Sequence, residues 1–100
     1  MAWYGRVMIR VMIERRLRPG RLEDFRAAMR AMRGAAVRAP GYLAGEMMHP
    51  AGEPDRHVTI STWRSRDDWA QWQRSETRRR TEERLAALVE EERITVLEPE

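Results

Sequence analysis

A chain of 100 residues organises a single hydrophobic core and has no room for a second domain, since cores of about 100–150 residues precede division. With 42% hydrophobic and 35% charged residues it excludes wholesale disorder, and no apolar run approaches the roughly 18 residues that span a bilayer. Zero cysteines exclude disulfides, thiolate nucleophiles and Cys-ligated metals, and 19 arginines interleaved with 16 acidic residues, net charge +3, do not make a nucleic-acid surface.

The N-terminus lacks the apolar region of a secretory signal, which points to a cytoplasmic protein starting at Met1 or at Met8. Val7, Ile9, Val11 and Ile13 alternate with Met8, Arg10, Met12 and Glu14, the period of a strand. Pro19-Gly20 breaks the pattern. Leu22, Phe25, Met29, Met32 and Ala36 then recur at three and four, predicting a helix over 20–38 with Glu23 and Asp24 at its positive end. Pro40-Gly41 stops it. Residues 42–49 and 57–63 read as two strands of a hairpin across Pro50 to Asp55. Ser65 and Asp68 form a capping box, after which Trp69 and Trp72 share an apolar face. That face is polar over 73–80 and returns at Leu85, Leu88 and Val89, predicting a break near Ser75. Residues 93–97 close the chain as a strand with Ile94 and Val96 inward. The order is βαββαβ, an α+β, ferredoxin-like domain with an antiparallel sheet, its core about 7–97.

Both helices of such a domain cover one sheet face, and Val7, Ile9, Val11 and Ile13 suit it. The other face then holds Met8, Met12 and Trp63 among Arg10, Glu14, Thr59 and Ser61, too apolar for water. A second copy packed there would make a homodimeric α+β barrel with Met8, Met12 and Trp63 in its interface.

The first strand with Pro19-Gly20 and Phe25, then Pro40-Gly41-Tyr42, then Ile60-Ser61-Thr62-Trp63-Arg64-Ser65 leading to Trp69 and Trp72, resembles the antibiotic biosynthesis monooxygenase family of dimeric α+β barrels. The resemblance implies a pocket between sheet and helices and a reaction with molecular oxygen that uses no metal or flavin. Quinols, anthrones and related aromatics are the substrates it implies. Trp72 matches the tryptophan of a haem-degrading branch, but that branch's strand asparagine is missing and Glu82 stands where its axial histidine would be, so haem is rejected and no cofactor is expected.

The pocket is expected at Ile13, Arg15, Phe25, Met29, Trp69 and Trp72, with Arg15 and Trp72 the candidates for catalysis. Arg15 either hydrogen-bonds a substrate phenolate or is a solvated strand end, and Trp72 either stacks on an aromatic ligand or packs in the core. Tyr42 either donates into the pocket mouth or packs beneath its turn. His49 and His57, on opposite hairpin arms near Glu53 and Asp55, lack a fixed third ligand, so no metal is expected. Arg78-Arg79-Arg80 reads as the wet face of a helix paired with Glu76, Glu82 and Glu83. An RNA-binding domain shares the βαββαβ order but needs stacking rings where this first strand has Met8, Arg10 and Met12, so no nucleic acid is expected, and no membrane. The functional expectation is a small cofactor-independent monooxygenase for an aromatic or quinol-type metabolite; the alternative is a non-catalytic dimeric small-molecule-binding or stress-associated protein of the same fold.

Overall fold

Strand β1 (Ile9–Leu17) alternates buried and open residues along its whole length, and everything else is arranged around it. The computed structural model describes residues 7–100; the choice of Met1 as start lies outside the described residues. After β1 come α1 (Leu22–Ala36), β2 (Tyr42–Met48), β3 (Arg56–Trp63), α2 (Arg66–Gln73), α3 (Glu76–Ala86) and β4 (Val89–Leu97). The sheet order is β2-β3-β1-β4 with every neighbour antiparallel. Ile9, Val11, Ile13 and Leu17 of β1 join Phe25 and Met29 of α1, Trp69 and Trp72 of α2 and Leu85 of α3 in one core. The fold is the ferredoxin-like α+β arrangement the sequence predicts. Among the described residues no helix is long and apolar enough to cross a membrane.

Local chemistry sets the boundaries. Ser65 Oγ accepts from the Asp68 amide at 3.1 Å and donates to Asp68 Oδ2 at 2.9 Å, which starts α2. Ser75 Oγ accepts from the Arg78 amide at 3.2 Å and starts a new helix, so the predicted break is a division into α2 and α3. Gly41, at φ 82°, lies so close to the Asp68 carboxylate that a Cβ would overlap it, which ties the start of β2 to the start of α2.

Three features differ from the expectation. β1 runs on to Leu17, and β4 begins at Val89 rather than Arg93, because Glu14, Arg15 and Arg16 face Arg93, Glu92 and Glu91 across the ladder. Opposite charges directly across a strand pair stabilise it, so an acidic run that resembles a loop is a strand here. The third difference is the face of β3. Trp63, expected at a dimer interface, is opposite Ile9, and residues directly opposite share a face; it is 1% exposed beneath the helices. Ser61 opposite Val11 and Thr59 opposite Ile13 accompany it, leaving Val58, Ile60 and Thr62 on the uncovered face with Met12.

His57 also points inward, its ring 4.8 Å from that of Phe25. Burial pushes its imidazole below the ordinary 6.5, and the charges of His49, Arg26 and Arg15 act in the same direction. The folded state therefore favours the neutral ring while the unfolded chain protonates at its ordinary value, so this contribution is complete above about pH 6.5 and is lost as pH falls through the depressed value. The urea midpoint is expected to drop between about pH 7 and about pH 5, and His57→Phe to flatten part of that drop relative to wild type. An identical slope in the variant would place the titration elsewhere.

Candidate functional site

A small pocket of about 60 Å³ lies between the inner face of β1 and β3 and the three helices. Ile13, Thr59, Ser61 and Trp63 form its sheet wall, Met29 and Met32 its α1 wall, and Trp69 and Trp72 its α2 wall. The inner face of β3 is polar except for Trp63 because part of it borders this space instead of packed core. Tyr42, Gly45 and Met47 of the edge strand β2 border the pocket near Arg33 and Glu46.

The tryptophans hold one another in place. Trp63 lies near-parallel to Trp72, centroids 6.2 Å apart at 27°, and meets Trp69 edge-on at 5.7 Å and Tyr42 edge-on at 5.3 Å. Trp63 Nε1 donates to Ser61 Oγ at 2.9 Å, so the buried indole N–H is satisfied. A Cβ on Gly45 would overlap the Tyr42 hydroxyl, so a glycine is what seats the phenol there. Trp72 also borders an outer groove lined by Gly34, Ala35, Arg38 and Ser75, so its indole separates the pocket from that groove.

Two arginines border the same space. Arg15, 3% exposed, donates from Nε to Glu92 Oε2 at 2.8 Å and from Nη2 to Glu82 Oε1 at 3.4 Å. Its Nη1 faces only the Met29 thioether, at 3.8 Å. Arg78, 5% exposed, stacks over the Trp69 ring with Cζ 5.2 Å from the centroid. Its Nη2 stands 2.9 Å from Glu82 Oε1 but outside hydrogen-bonding geometry, so the contact is ionic and that nitrogen has no hydrogen-bond partner. Burial lowers the Arg78 pKa, partly opposed by Glu82, and the guanidinium remains charged.

Ile13, Arg15, Met29, Trp69 and Trp72 thus meet around one cavity, whereas Phe25 packs in the core against His57 and does not border it. Arg15 is a buried ion-paired residue rather than a solvated strand end. His49 and His57 lie 6.1 Å apart, and among the described residues no group of three or more His, Asp or Glu could hold a metal. Arg78 leaves the wet face expected for it, while Arg79 and Arg80 stay exposed and pair with Glu76. The missed signal is its spacing: Arg78 and Glu82 precede Leu85 by seven and three residues, which puts all three on one helix face.

The sequence profile described as antibiotic biosynthesis monooxygenase matches residues 8–84. No curated protein matches the chain. Among solved structures, a conserved protein of Methanosarcina mazei superposes with a TM-score of 0.89 at 14% identity over 100% of both chains. SnoaB of Streptomyces nogalater, described as a cofactor-independent oxygenase, gives 0.87 at 13% identity over 94% of each chain. A Pseudomonas aeruginosa protein gives 0.84 at 18% identity over 97% of this chain and 98% of its own.

The ion-pair cluster predicts an asymmetry. Glu82→Gln with Glu92→Gln leaves two buried guanidiniums without a carboxylate and is expected to cost about 3–5 kcal/mol in urea unfolding. Arg15→Met leaves carboxylates whose side chains are 27% and 29% exposed and reach water, so its loss is expected to be smaller. Equal losses would contradict this account.

Proposed function

The chain belongs to the antibiotic biosynthesis monooxygenase family, and on that premise we propose that it is a cofactor-independent oxygenase for an aromatic or quinol-type metabolite. The observation that carries the reading is a pocket walled by Trp63, Trp69 and Trp72 with the Arg15 guanidinium at its border. A flat substrate lies against the indoles while Arg15 Nη1, facing only a thioether, donates to its phenolic oxygen. That hydrogen bond favours the electron-rich phenolate, which gives electrons to oxygen directly. One oxygen atom is then incorporated in a new carbon–oxygen bond and the other leaves as water, with two hydrogens taken from the substrate. The apolar walls exclude solvent from the intermediates.

In this reading the protein is a cytoplasmic homodimer. The uncovered sheet face carries Met12 beside Ile60 and Val58 beside Met48, with Met8 next to the start of β1, and a second copy covers it. Trp63 takes no part, being inside its own subunit. Light scattering at micromolar concentration is expected to give a dimer, and Met8→Arg with Met12→Arg monomers or unfolded chain; a monomeric wild type would overturn the assembly.

Oxygen uptake by metal-free protein is expected with at least one member of a panel of quinols, anthrones and hydroxynaphthoquinones, above a heat-inactivated control. Arg15→Gln is expected to reduce the rate by about 100-fold, the scale for losing one donor to a developing oxyanion, and Trp72→Phe to weaken binding of flat ligands. Tight binding without uptake across the panel would establish a carrier or sensor instead.

A further inference from the structure

The buried charges around the pocket are arranged on two sides. Arg15 and Arg78 border it, whereas Glu82 and Glu92 do not; both carboxylates line a separate surface depression with Leu85, Ala86 and Val89. The glutamates therefore hold the guanidiniums at the edge of the pocket, with Arg78 Nη2 turned to Glu82, and the pocket itself is lined by the positive member of each ion pair. Two nitrogens are left without a full partner: Arg15 Nη1 against a thioether, and Arg78 Nη2 with no hydrogen bond. A nearly buried guanidinium nitrogen without an acceptor is costly unless a ligand supplies one. The four charges sum to zero, so the pocket does not repel an added anion as an acidic site would.

We infer that the pocket selects aromatic ligands bearing an anionic oxygen, a carboxylate or an ionised enol or phenol, in addition to the phenolic oxygen held by Arg15, and that Arg78 is the residue that recognises this second oxygen. The inference rests on the pocket being the substrate site and names the chemistry it prefers. Arg78 is held by its stacking on Trp69, so the oxygen meets a fixed donor while the ring lies against Trp63 and Trp72. Glu82 has its side chain 27% exposed and turns toward water as the ligand anion takes its place beside Arg78. Ligand and Glu82 thus compete for one guanidinium.

Tryptophan fluorescence quenching and calorimetry at pH 7 with β-naphthoate, an ionised hydroxynaphthoquinone and neutral β-naphthol test this. Wild type is expected to bind at least one of the anions about tenfold or more tighter than β-naphthol, the scale of one charge-assisted hydrogen bond. Arg78→Met is expected to weaken the anions about tenfold more than β-naphthol and so remove that preference, Arg78→Lys to restore part of it, and Glu82→Gln to tighten the anions relative to β-naphthol. Comparing the two anions identifies which oxygen is preferred. Equal wild-type binding of all three probes would overturn the inference and leave the aromatic pocket standing. Binding of none would overturn both. Parallel loss of all three in Arg78→Met, with anion preference unchanged in Arg78→Lys and Glu82→Gln, would make Arg78 a structural support and sink the proposal.

Discussion

A guanidinium buried in the central strand is the constraint on which the rest of the structure depends. Arg15 occupies an inward position of β1, so its charge lies between sheet and helices, where an unpaired ion is prohibitively unfavourable. Its partners must come from elements that reach that point from two directions. β4 supplies Glu92 from the neighbouring strand, which holds the ladder register that also opposes Arg16 to Glu91 and Glu14 to Arg93. α3 supplies Glu82 from above, and the same carboxylate holds Arg78 at the pocket border. Sheet register, helix placement and pocket electrostatics are thus one arrangement.

The volume under the helices divides into a packed half and an open half. Around Val11, Leu17, Phe25 and His57 the side chains close on one another; around Thr59, Ser61 and Trp63 they stop short. Short polar residues on β3 do not fill the depth that a leucine or phenylalanine would. The tryptophans stand at its border as a self-supporting cluster, with Ser61 securing Trp63 through its indole N–H.

Much of this is written locally and was legible. The alternation of β1, the spacing of Leu22, Phe25 and Met29, the capping serine Ser65, the break near Ser75 and the stop at Pro40-Gly41 act through near neighbours, and their effects follow from the chain alone. What was not legible depends on partners far away. β3 alternates polar with apolar, and either set suits a core until the pairing of Trp63 with Ile9 assigns the faces. The acidic start of β4 makes sense as a strand only opposite Arg15, 77 residues before Glu92, and its neighbour Arg16, and the burial of Arg78 only once Glu82 and Trp69 flank it. Within the site, Met29, Trp69 and Trp72 lie on apolar helix faces that the spacing marks, whereas Trp63, on a strand, was expected on the opposite sheet face. Phe25 shares that stripe with Met29 but lies one turn away, against His57.

The pairing of Arg15 with Glu92 also governs the order in which the chain can mature. β1 is flanked by β3 and β4, so one edge of the first strand stays unpaired until residues near position 90 are available. During synthesis the arginine must remain hydrated, because the carboxylate that neutralises it has not yet left the ribosome. Closing a loop that long before gaining its contacts is entropically unfavourable, which slows folding. The pairing of β1 with β4 thus joins the two most sequence-distant strands of the sheet, and the core closes only when β4 docks.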